Sequence, residues 1–228
     1  MFYGISEKDV RMPGEEEVPP SEPAFMILDT LEKQDLILTA YRDSALREEV
    51  LAFFQHITGS EEVAEAILTY ASNYDIPPAL AFSLCAEESA YNPRAINRNQ
   101  NDTIDRGLFQ LNSATFPKLS VDDFYNTDEN VRHGISHLRW CLDTAGTEVS
   151  GLAMYNAGAT RVRSVGTPKH TLDYVSRILK RQRKIEDRFL TEYIRISQEL
   201  KTETEIVQAE KEEKVPFRLN LLTPLGHR

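Results

Sequence analysis

Apolar residues recur along most of this chain at the three- and four-residue spacing of amphipathic helices. In the segment that begins at Ala45, the apolar positions on one helical face are Leu46, Val50, Phe53, Phe54 and Ile57. Gly59 and Ser60 end this predicted helix and cap the next one. The apolar positions of that next helix are Val63, Ile67, Tyr70 and Ala71. The pattern therefore predicts two consecutive helices.

Prolines mark the limits of a third predicted helix. Pro77 and Pro78 fit a helix only in its first turn, and the Asn-Pro pair that ends at Pro93 stops one, so this helix should run to about Ala90. Residues 92–106 are rich in Asn, Arg and Asp, a composition typical of turns. We predict an irregular or hairpin-bearing excursion there.

The second half of the chain has the same helical spacing. Further helices are predicted from about Asp128, over about 149–156 and from about Thr171. Another amphipathic helix begins at Ile185 among many charges and fades after about Lys214. Its apolar positions are Ile185, Phe189, Tyr193, Ile196 and Leu200. The predicted fold is mainly α, with one small loop- or hairpin-bearing insertion and flanking helices.

Composition suggests three parts and disfavours one class of partner. Residues 1–24 contain a run of glutamates and several prolines and cannot bury enough apolar surface to fold, so we predict a flexible leader. One catalytic-size domain is expected over 25–182, and an amphipathic helix with a tail over 183–228. The formal net charge is −10. Nucleic acid is therefore not an expected partner, because such surfaces usually carry clustered Lys and Arg.

Cysteine, histidine and hydropathy patterns add smaller expectations. Cys85 and Cys141 have apolar neighbours and are predicted to be buried free thiols, with a single disulfide as the alternative. His133 and His137 could share a helix face and bind Zn²⁺ with a third ligand, although a solvated or substrate-near face is favoured and no metal is expected. No stretch is apolar enough to span a bilayer, and residues 1–10 lack the pattern of a secretion signal.

Two adjacent glutamates near the end of the third helix differ in position. On a helix that advances about 100° per residue, Glu88 falls within the apolar arc of residues 80–86, whereas Glu87 falls outside it beside Ser83. A carboxyl that faces apolar neighbours has a raised pKa, as a general acid requires near neutral pH. The alternative is that Glu88 sits at a helix end and bends out to water. Helix geometry alone favours that alternative.

Several segments resemble, in order, the blocks of lytic transglycosylases. Residues 88–95 begin with Glu-Ser and resemble the motif at the family's catalytic glutamate. Residues 107–111 resemble its Gly-Leu-Met-Gln segment, which lines the sugar cleft. Residues 155–158 and 171–175 are similar to its Tyr-Asn-Ala-Gly and Thr-x-x-Tyr-Val blocks. The resemblance covers about residues 64–179 and is to the lysozyme-like SLT family, including members associated with secretion systems and phages.

The resemblance implies a lysozyme-like fold in which Glu88 is the catalytic acid. The substrate-binding residues that it implies are Ser89, Gln110, Tyr155, Asn156 and Tyr174. The residues themselves allow plainer roles. The amide of Gln110 could brace its loop, Tyr174 could be a core aromatic, and the Asn-Ala-Gly segment that begins at Asn156 could cap a helix.

A second resemblance, to animal-type lysozymes, introduces a possible second carboxylate. The shared positions are Glu88, Ser89, Asn92, Ala95, Asn97, Arg98, Asn99, Thr103, Asp105, Gly107, Gln110, Asn112 and Ser113. Asp105 follows Glu88 by 17 residues (105 − 88), the interval between acid and second carboxylate in that family. Asp105 would then be a nucleophile or stabiliser, as in the lysozyme type case for retaining hydrolysis. Alternatively, it is a turn-forming aspartate that organises its loop.

Three functions follow from these resemblances. In a lytic transglycosylase, Glu88 would protonate the glycosidic oxygen between N-acetylmuramic acid and N-acetylglucosamine, then deprotonate the muramic 6-hydroxyl and close a 1,6-anhydro ring. This function is favoured, because animal-type lysozymes lack the last two blocks and carry several disulfides. The alternatives are a hydrolytic muramidase that uses Glu88 with Asp105, and a non-catalytic peptidoglycan-binding scaffold.

The resemblance also implies partners and a location. Peptidoglycan strands are the expected substrate, no cofactor is expected, and the periplasm or cell envelope is the expected location, although no signal peptide is visible in residues 1–10. The 185–200 helix is predicted to pack on the domain or its N-terminal helices, with a cell-envelope protein as the alternative partner.

Overall fold

The computed structural model describes residues 35–213, with side chains described up to residue 196. The predicted leader over 1–24, the first residues of the predicted 25–182 domain and the tail beyond residue 213 lie outside the described residues. The helices are α1 (Leu36–Arg42), α2 (Arg47–Thr58), α3 (Glu61–Asn73), α4 (Pro78–Ser89), α5 (Val121–Tyr125), α6 (Thr127–Ala145), α7 (Glu148–Ala157), α8 (Ala159–Ser164) and α9 (Lys169–Glu213). The strands are β1 (Ile96–Arg98), β2 (Ile104–Arg106) and β3 (Leu111–Asn112). The described part of the chain is mainly α, as predicted.

The predicted helix limits follow from local chemistry. Gly59 ends α2 with a φ of 73°, and the Ser60 side chain accepts a hydrogen bond from the Val63 N–H at the start of α3. Pro78 lies in the first turn of α4, and Ala90 ends that helix in the left-handed conformation, with a φ of 51°. The chain therefore turns sharply immediately after the two glutamates.

The C-terminal helix differs from the prediction. Two helices were expected, one from about Thr171 and one from Ile185, but α9 is continuous through both. Residues 169–213 contain neither Gly nor Pro, so nothing in the backbone interrupts the helix. The predicted boundary between 182 and 183 falls inside α9. Ile185 and Phe189 are buried, and the Phe189 ring meets that of Phe53 on α2 at 5.3 Å, so this part of the apolar stripe packs within the chain.

The predicted excursion is a small antiparallel sheet in the order β1-β2-β3. Asp105 in the middle of β2 pairs with Asn97 of β1 and with Asn112 of β3. Three polar side chains from successive strands are therefore neighbours across the sheet. Among the described residues, no helix is long and apolar enough to cross a membrane.

Helix α4 is the central element of the core. Its residues from Pro78 to Cys85 are all buried, and the Phe82 ring stacks on that of Phe54 with centroids 3.9 Å apart. Because the burial extends around the whole helix, Ser83 is buried too, although the helical pattern placed it outside the apolar arc. The predicted state of the cysteines is confirmed, because Cys85 and Cys141 are both buried and free.

Two glycines allow close packing beneath the loop that follows β2. A Cβ atom added to Gly134 of α6 would lie 2.4 Å from the Cβ of Phe109. One added to Gly107, whose φ is +77°, would lie 2.3 Å from the carbonyl oxygen of Phe124. Both positions therefore exclude a side chain, and the loop that carries Gln110 lies directly on α6.

Candidate active site

An open cleft contains most of the residues singled out in the sequence. The sheet and the following loop contribute Asn99, Asp105, Gln110 and Asn112 to its lining. The helical side contributes Glu88, His137, Trp140, Tyr155, Asn156, Arg161 and His170. A smaller adjoining part of the cleft is lined by Glu88 and Ser89 together with Asp105, Gln110 and Asn156. Tyr174 does not line the cleft but contacts Glu88 from behind.

Glu88 occupies the last turn of α4 and is half-buried at the edge of the cleft. The Tyr174 hydroxyl, on α9, donates a hydrogen bond of 2.5 Å to Glu88 Oε1. The pKa of Glu88 is raised to about 8, mainly by burial and in part by the charges of Asp105 and Glu87, against the lowering effect of the Tyr174 hydrogen bond. Glu88 is therefore protonated at neutral pH, and it faces the cleft.

Glu87, the preceding residue, has a different environment. Its carboxylate forms ion pairs with Arg177, at 2.6 Å, and with Arg181, at 3.4 Å. Arg181 also donates to the backbone carbonyl of Ser83, at 3.4 Å. Glu87 borders only the smaller part of the cleft and its carboxylate is ion-paired with the cations of α9, whereas Glu88 lines both parts of the cleft.

The protonation of Glu88 can be measured directly. We expect a side-chain carboxyl resonance of Glu88 in ¹³C NMR to titrate near pH 8, and Tyr174→Phe to move its midpoint to higher pH. The direction follows because the tyrosine hydroxyl stabilises the carboxylate, so its removal favours the protonated form. A Glu88→Gln spectrum assigns the resonance. A midpoint near the ordinary glutamate value, or one that Tyr174→Phe leaves in place, would contradict this assignment of causes.

Asp105 lies in strand β2, whereas the alternative to a catalytic role was a turn-forming aspartate. Its Oδ2 accepts hydrogen bonds from the side-chain amides of Asn99, at 2.8 Å, and Asn97, at 3.3 Å, and its Oδ1 accepts one from Asn112, at 2.7 Å. The carboxylate therefore joins all three strands and organises the sheet through neighbouring side chains. It also lines both parts of the cleft that Glu88 lines.

Three other predicted site residues are each held by a hydrogen bond to a neighbouring residue. Gln110, whose φ is 45°, donates from Nε2 to the Gly107 carbonyl at 2.9 Å while it lines the cleft. Asn156 accepts a 2.8 Å hydrogen bond from the Thr171 hydroxyl. Ser89 donates to the Cys85 carbonyl one turn earlier in α4, at 3.2 Å.

Tyr155 connects α7 with the loop over α6. Its hydroxyl donates to the Phe109 carbonyl at 3.0 Å. Burial raises its pKa well above the ordinary value, and the charge of Glu88 contributes to this rise. The expected helix cap after Asn156 is present as well, because the N–H of Gly158 donates to the Met154 carbonyl. Tyr155 thus belongs to the support of the cleft next to Glu88.

Sequence reasoning did not assign Trp140, Asn99 or Asn112 to the site. The two asparagines are among the positions shared with animal-type lysozymes, but their contacts with Asp105 depend on the register of the sheet. Trp140 could have been predicted to lie near His137, because it follows His137 by three residues and therefore shares its helix face. Among residues 35–196 no group of potential ligands could hold a metal ion. The ring of His137 stacks on that of Trp140, and His133 lies 3.5 Å from Glu129.

A mainly helical domain with a protonated, half-buried glutamate at a cleft edge and a small antiparallel sheet beside it defines the lysozyme-like class of glycan-cleaving folds. Residues 65–175 match the family model of the transglycosylase SLT domain. This match confirms the predicted resemblance of that segment to the lytic transglycosylase and lysozyme-like family. The SLT match supports peptidoglycan cleavage of the lytic transglycosylase type in general, and that family acts on peptidoglycan in the cell envelope.

Proposed function

We propose that this protein is a peptidoglycan lytic transglycosylase with Glu88 as its single acid and base. Glu88 protonates the glycosidic oxygen of the β-1,4 bond between N-acetylmuramic acid and N-acetylglucosamine. As a carboxylate it then accepts the proton of the muramic 6-hydroxyl, whose oxygen bonds to the anomeric carbon and closes the 1,6-anhydro ring. Water is not consumed, and the proton balance of Glu88 is restored at the end of the cycle.

The observation that carries the proposal is the pKa of about 8 for a carboxyl that lines the cleft. At neutral pH such a group holds the proton that the leaving oxygen needs. After transfer, the same elevated pKa makes the carboxylate a competent base for a sugar hydroxyl. Tyr174 donates to one oxygen of Glu88, which supports the ionised state and leaves the other oxygen for the substrate.

The environment of Asp105 favours the anhydro-forming reaction over retaining hydrolysis. Three amide hydrogen bonds, distributed over both Asp105 oxygens, hold the carboxylate to the sheet and make it a weaker nucleophile than a free carboxylate. Its negative charge still acts on Glu88, where it raises the pKa. We therefore assign Asp105 an electrostatic and structural role. Ser89, Gln110, Tyr155 and Asn156 shape the cleft around the bond that is cleaved.

The test is mass analysis of muropeptides released from purified peptidoglycan. We expect 1,6-anhydromuramic ends, and we expect Asp105→Asn to retain cleavage to within about tenfold, because the loss of one charge from a hydrogen-bonded sheet is a modest perturbation. Reducing ends, together with a loss of several orders of magnitude in Asp105→Asn, would replace the proposal by hydrolysis. Intact glycan that is still bound would leave the scaffold function.

A further inference from the structure

Three aromatic rings form a row along the helical wall of the cleft. The Trp140 and His137 rings lie nearly parallel, with an interplanar angle of 12° and centroids 5.6 Å apart. The His137 ring in turn lies 5.1 Å from that of Tyr155. All three residues line the same cleft as Glu88. Tyr155 is close enough to Glu88 for the glutamate charge to affect its pKa, so the row begins beside the acid and ends at Trp140.

Trp140 is the one aromatic residue among the exposed large apolar side chains of residues 35–196. Single exposed apolar residues are common and need no special explanation. Trp140, however, is 50% exposed within the cleft and offers a flat ring there, whereas the exposed Val165 and Ile96, which also line the cleft, have no ring. Its ring also packs flat against a second ring that lines the cleft, which fixes its orientation. A large, rigid aromatic surface is therefore presented to whatever occupies this end of the cleft.

We infer that the His137–Trp140 ring pair is a stacking site for one sugar ring of a β-1,4-linked N-acetylated glycan. A pyranose has an apolar face of C–H groups and a polar rim of hydroxyl and acetamido groups. A flat aromatic surface matches the face, and polar side chains across the cleft match the rim, as in ligand sites that combine aromatic walls with a few polar groups. Gln100, Asn101 and Thr103 supply such polar groups to the same cleft. The inference rests on the proposed function for the identity of the glycan.

The position of the ring pair defines what the site does. Tyr155 lies between the pair and Glu88 in the row, so the bound sugar is not at the bond that is cleaved. The stacking site therefore contributes to binding and to the register of the strand in the cleft, and takes no part in proton transfer. Its removal should raise KM and the dissociation constant more than it lowers kcat.

The chain has one tryptophan, so tryptophan emission, excited selectively over that of the tyrosines, reports on this site alone. In the Glu88→Gln protein, addition of the hexamer of β-1,4-linked N-acetylglucosamine should produce a saturable shift in Trp140 emission. By calorimetry, Trp140→Ala in that background should bind the hexamer about tenfold more weakly, the upper end of what an aromatic pair contributes. Trp140→Phe should fall between the two, and Leu190→Ala, an exposed apolar truncation outside the cleft, should bind like the parent.

The possible results separate this inference from the proposed function. The inference is overturned if the hexamer does not bind, if it binds without a change in emission, or if Trp140→Ala binds as tightly as the parent. If wild-type protein releases anhydro ends in any of these cases, the proposed function stands alone. The hexamer could shift the emission, and Trp140→Ala could weaken hexamer binding, while wild-type protein leaves peptidoglycan intact. In that case the stacking site is supported and the proposed reaction is contradicted.

Discussion

Replacing Glu88 by Gln is expected to slow peptidoglycan cleavage by about 10²–10⁴-fold, the usual contribution of a positioned general acid. The amide is nearly the same size and keeps an oxygen that can accept the Tyr174 hydrogen bond, but it has no acidic proton to give. Initial rates of muropeptide release at neutral pH measure the effect. The melting temperature of the variant verifies that the fold is retained.

Glu87→Gln is the matched control, because it makes the same chemical change one residue earlier. It removes the ion pairs with Arg177 and Arg181, which lie at the surface of α9, and should lower the rate by less than about tenfold. It should also move the titration of Glu88 to slightly lower pH, because the charge of Glu87 raises that pKa. Equal losses in the two variants, or full activity in Glu88→Gln, would remove Glu88 from its proposed role.

The second large effect is on stability and concerns Asn130, which is 1% exposed. Its Oδ1 accepts from the Phe109 N–H at 2.8 Å, and its Nδ2 donates to the carbonyls of Phe124, at 2.8 Å, and Arg106, at 3.0 Å. Asn130→Asp should lower the free energy of unfolding by about 3 kcal/mol or more, since two carbonyls lose their donor and meet a carboxylate instead. Urea denaturation measures the change.

Comparison with two other variants tests the reason for that loss. Asn130→Ala leaves the same three backbone groups without a partner and should cost no more than the isosteric Asp. Asn73→Asp, at the exposed end of α3, should cost less than about 1 kcal/mol, as expected for a charge near a helix end. The Asn130→Asp protein should recover part of its stability in acid. If Asn130→Asp lost much less free energy of unfolding than Asn130→Ala, the hydrogen bonds that Asn130 donates would not be the main source of its stabilising effect.

Much of this architecture could be predicted from local signals. Helical spacing, Pro78 and the Gly59-Ser60 cap determine α2 to α4 within the chain segment that forms them, so no distant contact is needed to anticipate them. The distinction between Glu87 and Glu88 was also available from helix geometry. The burial of Ser83 was not, because it depends on elements that cover α4 from several sides.

The chemistry of the site depends more on contacts between distant residues. The hydrogen bond between Tyr174 and Glu88 joins positions 86 residues apart, and Asn130 reaches Phe109 across 21. No periodicity encodes such a pair; the family resemblance alone brought Tyr174 into the predicted site. The continuity of α9 differs from the prediction for a local reason, since its two apolar patterns predict two helices although no Gly or Pro separates them.

The two buried thiols do not react with thiol reagents while the domain is folded. Thiol reagents attack the thiolate, and burial raises the pKa of Cys141 to about 12 and that of Cys85 further above its ordinary value. Cys85 lies one turn before Glu88 and Ser89 on α4, and Cys141 Sγ lies 3.8 Å from His137 Nε2 on α6, so one thiol is near the acid and the other contacts the ring pair. Modification of either thiol requires its helix to open, and the two labelling rates report separately how often each wall of the cleft comes apart.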